Sequence, residues 1–571
     1  MIRHYLAARE ELAAPGSPFA TTYIEVRGAQ LKSFASAPPT MRAIWETTTA
    51  HSDKDYIVYE DERYTYGEIQ EQVRKLAAHL VAHGVVRGSR VGLAMRNYPE
   101  WVVGYWATVS LGAALVGMNA WWTAPEMEYA LNDSQPLVLI ADDERLDRLE
   151  NIPNAKPMHI ITVRSSRVVG ADCMTWDSVM ATADPGTLPE AFIDPDDDAT
   201  IFYTSGTTGF PKGAQLTHRG SVNNILNLAA MSATTALAEA KAIAAGEMET
   251  PKPRDVAYPT SFMAPTPLFH VTACNCILHA ATVGGAKIVL TYKWDAGRAL
   301  ELIERERVTN FSGVPTMGRE LLMHPDWSTR DVSSLLGLAG GGSAVQPDLV
   351  HKIKGALKEG GNPSTGYGMT ETCGIITANS NALYLAKPDS CGPAVPTLDV
   401  KLIDEDGNDL PAGPNTVGIL CVKGSIVIKG YLNREEATAD SIKDGWLNTG
   451  DIARIDEDGF IFIVDRAKDM VLRGGENVYC TEVEAAIYHH PSVQEAAVFG
   501  IPDERLGEEV AAVLVLAEGA SLTEPELRDF LKATLSSYKI PSKVWFRDEP
   551  IPRNATGKFL KRELRKELIG E

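Results

Sequence analysis

From Tyr203 to Gly213 the chain reads Y-T-S-G-T-T-G-F-P-K-G: hydroxyls at Thr204, Ser205, Thr207 and Thr208, glycines at Gly206, Gly209 and Gly213, and an ammonium at Lys212. A turn of this make-up can wrap phosphate oxygens. Its backbone N–H groups and hydroxyls donate hydrogen bonds, and its glycines accept positive φ. It is not the loop of kinase-like NTPases, which needs G-x-x-x-x-G-K-[ST]. The fifth residue after Gly206 is Pro211, and Lys212 precedes Gly213 where a magnesium-holding hydroxyl would stand. No Ser-His-Asp or Cys-His pattern marks a protein nucleophile, so the chemistry to explain is that of a bound phosphate.

The elements around the loop are those of an α/β protein. "TIFY" (200–203) leads into it as a strand, and "LVLIADD" (137–143), "HIITV" (159–163), "AKIVLTY" (286–292) and "FSGVP" (311–315) read as further strands. Amphipathic stretches separate them. After Asp295, a helix cap, Glu301 and Arg305 stand at i,i+4 and predict an ion pair. "SSLLGLAGGG" followed by "QPDLVHKIKGAL" repeats the unit, so parallel sheets with helices on their faces are expected. After residue 398, Asp-Gly and Pro-Gly turns between short strands predict antiparallel β structure. From about 467 a helix over 482–490, strands near 494–500 and 509–516 and a helix over 524–535 make a small α+β unit. The expected organisation is a large domain, 1–466, with a β-rich part at 398–466, then a small mobile domain, 467–571. The alanine-rich stretch 231–255 reads as helix followed by surface loop, and residues 1–44 carry no readable chemistry.

Composition excludes several classes. A net charge of -21 repels nucleic acid and anionic lipid. Seven cysteines without a C-x-x-C fit reduced thiols in a cytoplasmic protein. The start has no apolar run suited to a signal peptide, and localisation is expected to be cytoplasmic. The uncharged run Trp101 to Trp122 has the hydropathy of a membrane span. Pro99 and Glu100 opening a helix, Gly112 breaking it and "AALVGMN" following as a strand predict buried elements instead.

The loop resembles the signature of the adenylate-forming superfamily: acyl-CoA synthetases, luciferases and peptide-synthetase adenylation domains. Four further motifs of that family follow in its order. "STGYGMTET" (364–372) resembles the second. The resemblance implies Thr370 for the α-phosphate, Glu371 for Mg²⁺ (with Thr208 as a second oxygen ligand), and Tyr367 with Gly368 at the adenine. "GWLNTGD" (445–451) resembles the third and assigns Asp451 to the ribose hydroxyls. "VDRAKDMVLRGGENV" (464–478) resembles the fourth. It implies Arg466 at ribose or phosphate, Lys468 at a hinge, and Gly474, Gly475 and Glu476 near coenzyme A. Where the family often has proline, this chain has Cys480, a departure expected to touch helix entry rather than chemistry. "PRNATGKFLKREL" (552–564) resembles the fifth, with Lys558 as the catalytic lysine, and His270 of "PLFH" resembles the gate between acyl pocket and adenylate. The segment "RYTYGEIQEQVRKLAAHLVAHGVVRGSRVGLAMRNYPEW" is similar to the first part of acyl-CoA synthetases, so the resemblance covers residues from about 45 onward.

The family's chemistry is the activation of a carboxylate. Oxide is too poor a leaving group for direct acyl transfer. The acid therefore attacks the α-phosphorus of ATP, releasing pyrophosphate, and a thiol then displaces AMP. Two anions must meet, so cationic and N–H donors are required, which matches the residue types above. The resemblance implies ATP, Mg²⁺ and coenzyme A as partners of a carboxylic acid, in a monomer or homodimer. It also implies an acyl pocket lined by Thr272, Cys274, Val314, Gly340, Gly341, Gly342 and Gly366. Successive glycines leave space, which leans toward a medium- to long-chain fatty acid. Alternatives are an aryl acid, a separate carrier-protein pantetheine as acceptor, or a non-catalytic nucleotide sensor. The presence of Thr370, Glu371, Asp451 and Lys558 together argues against the sensor.

Overall fold

The computed structural model describes residues 1–152, 158–169, 172–204, 211–250, 256–342, 347–357, 361–411, 413–414, 416–474, 476–555 and 557–570. Among these, two large, mostly parallel sheets carry the first part of the chain. One has the strand order Lys212–Thr217, Asp198–Thr204, Ala114–Gly117, Arg90–Ala94, Val138–Asp142, His159–Val163, Cys173–Thr175. The other runs Gly374–Ser380, Asn362–Met369, Gly337–Gly341, Asn310–Gly313, Ser261–Ala264, Lys287–Leu290, Asp55–Tyr59, Glu62–Thr65. Antiparallel pairing is confined to their edges. Strands such as Val138–Asp142 are buried along their whole length, because helices cover both faces of a parallel sheet.

The expected α/β architecture is therefore present, with an antiparallel sheet (Gly392–Pro393, Phe460–Arg466, Trp446–Ile455, Val417–Gly424, Leu398–Ile403) following the parallel ones. Between Arg466 and Val471 the chain leaves that sheet for a last one, built on the long hairpin Val493–Asp503 and Gly507–Leu516. Helices Cys480–Tyr488 and Glu524–Leu531 complete this α+β unit.

The apolar run after Pro99 forms a helix, Pro99–Val109, buried at every position. Gly112 turns the chain at φ 69°, and Ala114–Gly117 is a central strand. Among the described residues no helix is long and apolar enough to cross a membrane.

Two local readings change, and a third is extended. Glu301 pairs with Arg298 at 2.5 Å, one turn back, while Arg305 reaches Asp61 at 3.3 Å and its neighbour Glu306. Closer partners, Arg298 for the acid and Asp61 and Glu306 for the base, replace the exposed i,i+4 pair, which is worth only tenths of a kcal/mol. The strand "FSGVP" ends at Gly313, and Pro315 opens the helix Pro315–Met323, where its missing N–H has no cost. The alanine-rich stretch belongs to one 27-residue helix, His218–Ala244. Its second half is covered by the N-terminal helix Ile2–Ala13 through Tyr5 on Met231 and the pair Lys241–Glu11 at 2.8 Å. Each of these two segments supplies the apolar cover for the other.

Candidate active site

A cavity of about 2980 Å³ lies where the two parallel sheets, the antiparallel sheet and the last unit meet. Strand Asp198–Thr204 delivers Thr204 to its wall, and the returning strand begins with Lys212, whose carbonyl lies 3.5 Å from Thr204 Oγ1. Ser205, Gly206, Thr207, Thr208 and Gly209 lie outside the described residues. Lys212 Nζ stands 5.0 Å from the centre of the Tyr431 ring.

Strand Asn362–Met369 brings Gly366, Tyr367 and Gly368, and a single 3-10 turn adds Thr370 and Glu371. Gly368 sits at a register shift in the sheet, and a Cβ there would stand 1.8 Å from the Gly374 carbonyl oxygen. The requirement for glycine is therefore steric. The Tyr367 hydroxyl donates to Asp451 Oδ2 at 2.5 Å. Asp451 and Arg466 are directly paired across neighbouring strands, with Nε 3.5 Å from Oδ1. Glu371 Oε1 accepts the Tyr431 hydroxyl at 2.9 Å.

Lys558 arrives from the far end of the chain. Asn554 shapes its turn by accepting the Lys558 N–H at 3.0 Å and donating its own N–H to the Lys558 carbonyl at 2.9 Å. Gly557, at φ 84°, rests on Val314, where a Cβ would meet Cγ2 at 2.8 Å. Gly342 passes beside the lysine, since a Cβ there would lie 3.8 Å from Lys558 Cε. The unit is held against the large domain by Arg553, whose guanidinium lies 3.3 Å from Glu320 and also bonds Glu495, and by Arg319 over the Tyr488 ring.

The electrostatics record this convergence. Burial, then the neighbouring Arg466 charge, lower the Lys558 ammonium to about 8, against the pull of Asp451 and Glu371. Burial raises the carboxyls of Glu371 and Asp451, opposed by Tyr431 and Lys558 at the first and by Arg466, Tyr367 and Lys558 at the second. His270 is enclosed by protein but keeps one side on the cavity, and burial, then Lys558, lower it to about 3. It is a neutral imidazole, and its Nδ1 accepts the Thr272 N–H at 3.2 Å, so Nε2 carries the proton.

The acyl-pocket expectation is met unevenly. Thr272, Gly340, Gly341, Gly342 and Gly366 line the cavity. Cys274 does not: it is fully buried in the core, with Sγ 3.6 Å from His279 Nε2. A π-helical turn, Cys274–Leu278, shifts the register so that Cys276 and Ile277 face the cavity instead. Val314 lies under Gly557 and supports the lysine turn rather than lining the cavity. Cys274 and His279 are no nucleophilic pair, because burial raises the thiol and lowers the imidazole to about 3, the reverse of a thiolate–imidazolium couple. Lys468 lines the cavity. Gly474 and Glu476 stand apart from it, on the hairpin Val471–Arg473/Glu476–Val478, and Gly475 is outside the described residues.

Sequence reading missed Tyr431, Asn554 and Cys276, none of which sits in a spacing that signals its contact. At Cys480 the departure is structural. As the first residue of helix Cys480–Tyr488 it donates its N–H to Asp465, a bond that proline cannot make. Burial raises that Asp465 carboxyl to about 6.

Comparison with known proteins agrees with this geometry. Residues 44–432 match the family model of the AMP-binding enzyme, and residues 482–558 that of the AMP-binding enzyme C-terminal domain. A feruloyl-CoA synthase of an Amycolatopsis species is 35% identical over 88% of this chain and 93% of its own length. A long-chain-fatty-acid–CoA ligase of Mycobacterium tuberculosis is 33% identical over 95% of this chain and 98% of its own. The solved o-succinylbenzoate CoA synthetase of Bacillus subtilis, bound to its acyl-adenylate, superposes with a TM-score of 0.74 at 29% identity, covering 93% of this chain and 98% of that one. With the family model spanning most of the chain and relatives aligned nearly end to end, this protein belongs to the AMP-binding enzyme family, as an AMP-forming acyl-CoA ligase.

Proposed function

We propose that the protein activates a medium- to long-chain fatty acid as its adenylate and passes the acyl group to free coenzyme A. The observation that carries the substrate class is the wall formed by helix His218–Ala244. Leu228, Met231, Ser232, Thr235 and Ala236 all face the cavity, at the i, i+3, i+4, i+7, i+8 spacing of a single helix face. From Leu228 to Ala236 this wall runs about 12 Å at 1.5 Å per residue. Ser232, halfway along it, and Ala236, at its far end, are exposed, so the channel is open along that side and suits a chain of variable length. A second reading, an aryl acid, is favoured by the Ser232 and Thr235 hydroxyls on the same wall, which could pair with ring substituents.

In this reading Thr204, Lys212 and the loop between them hold the triphosphate. Tyr367 and Gly368 border the adenine, and Asp451 and Arg466 take the ribose. Thr370 donates to the α-phosphate. Lys558 bridges the attacking carboxylate and the α-phosphate and stabilises the charge that builds up as the new C–O–P linkage forms and pyrophosphate departs. Neutral His270, held by Thr272, can gate the acyl channel without adding charge. The hard carboxylate oxygens of Glu371 on the wall fit Mg²⁺, which would neutralise triphosphate charge, with Thr208, outside the described residues, as the expected second ligand. Lys468 is the hinge about which the last unit turns, withdrawing Lys558 and bringing the hairpin of Gly474 and Glu476 to the thiol path. The thiol sulfur then displaces AMP and gives up its proton, leaving a thioester.

The test is a panel of saturated acids from butanoate to stearate, with benzoates and cinnamates, incubated with ATP and CoA and assayed for thioester. Higher kcat/KM for the longer saturated acids supports the first reading. A preference for cinnamates replaces it with the second. Adenylate formation without thioester on free CoA would move the acceptor to a carrier protein.

A further inference from the structure

We propose that His79, His83 and His159 form a binding site for a divalent transition-metal ion, Zn²⁺ first, separate from the active site. His79 lies in the last turn of helix Tyr66–Ala82 and His83 is the residue that caps it, so the two are four apart on one helix face. His159 opens the strand His159–Val163 and is buried. One potential ligand atom from each lies within 4.8 Å of the others. The closest pair, His79 Nε2 and His159 Nε2, is 2.9 Å apart, and the His83 ring stacks on His159 at 3.8 Å between centroids. Tetrahedral Zn²⁺ with Zn–N bonds of about 2.0–2.1 Å holds its nitrogens about 3.3 Å apart. The His83 and His159 rings, stacked at 20° between planes, must turn about their side-chain torsions for both lone pairs to face one ion.

The surroundings orient the rings as ligands. His159 Nδ1 lies 2.7 Å from Asp172 Oδ1, and His83 Nδ1 lies 2.9 Å from the His79 carbonyl. Both acceptors take an Nδ1 proton, which leaves the Nε2 lone pairs of His159 and His83 for a metal. A carboxylate and a backbone carbonyl behind histidine ligands are the usual outer partners of a zinc site. His79 Nε2 donates its proton to His159 Nε2 in the metal-free cluster, and becomes the third ligand atom once that proton moves to Nδ1 on metal binding. His79 and His83 are half-buried, which gives water access to a fourth position. None of the four residues lines the active-site cavity. Their strand is four places from Asp198–Thr204 in the sheet, about 19 Å at 4.8 Å per strand. A metal here would tie a helix end to a strand near the sheet edge and would take no part in acid activation.

The experiment uses tag-free full-length protein, stripped with a chelator and titrated with Zn²⁺ against a chromophoric chelator, then with Co²⁺ for its visible d–d bands. The expected result is one Zn²⁺ per chain, with four-coordinate Co²⁺ bands. Uptake should be lost in H79Q/H83Q, and affinity should fall about 10–100-fold in Asp172→Asn. ATP–pyrophosphate exchange should be unchanged in both variants, which verifies their fold. Asp172 is exposed, so its variant keeps the test decisive should the double variant fail to fold. No uptake by the wild-type chain, or uptake equal in wild type and variants, overturns the proposal.

Discussion

Replacing Lys558 by alanine separates the two half-reactions, and the structure sets the size of the effect. The ammonium belongs to a buried cluster with Arg466, Asp451 and Glu371, its turn is seated on Val314, and Gly342 lies beside its side chain. Preorganised donors in such sites are worth about 10²–10³ in rate, or about 2.7–4 kcal/mol, each. Lys558→Ala should therefore lower carboxylate-dependent ATP–pyrophosphate exchange by at least that factor. A supplied acyl-adenylate should still be converted to thioester within a few-fold of wild type, because the proposed rotation of the last unit takes the lysine out of that step. The pH dependence supplies a second reading of the same group. A base lowered to about 8 loses its charge within the working range: about nine-tenths is protonated at pH 7, half at pH 8 and about one-tenth at pH 9. An ordinary lysine would stay charged throughout. The kcat/KM for exchange, which reports the free enzyme, should fall above pH 8, and Lys558→Arg should remove that limb while keeping a reduced rate. Exchange within tenfold of wild type in Lys558→Ala, or equal loss of both half-reactions, would refute the reasoning.

Gly557→Ala should act through the same lysine: φ 84° costs an L-residue about 1–2 kcal/mol and the new methyl meets Val314, so exchange falls while thioester formation from adenylate persists. Tyr431→Phe removes the hydroxyl bonded to Glu371, a charge-assisted bond worth about 1.5–3 kcal/mol. With that donor gone the carboxyl rises further, so the acid limb of the exchange profile should move to higher pH and the Mg²⁺ requirement should increase. Ala236→Trp should raise KM for long acids by about tenfold while leaving KM for ATP and for short acids unchanged, measured by thioester formation.

What the residues show by themselves is local. The strand read at 200–203, the helix that starts at Pro99 and the five motifs are contiguous, and each carries its chemistry in residue type and short spacing. The steric roles of two further residues came only with the fold: Pro315 opens a helix where a strand was expected, and Gly368 is required by the Gly374 carbonyl on the strand paired with it. The acyl wall failed at that range, since a π-turn between Cys274 and Leu278 exchanges which cysteine faces the cavity, and no periodicity announces it. The rest depends on convergence. Tyr431 reaches Glu371, and Lys558 meets Asp451, only when separate sheets are packed together. Desolvation is a property of that packing, so the lowered lysine and the raised carboxyls have no counterpart in sequence. The histidine cluster divides the same way: His79 and His83 are visible as a pair four apart, while His159 joins them through the placement of a strand 76 residues further along. The order of chemical groups along the chain defines the reaction, and long-range packing sets their charge states and the shape of the space they enclose.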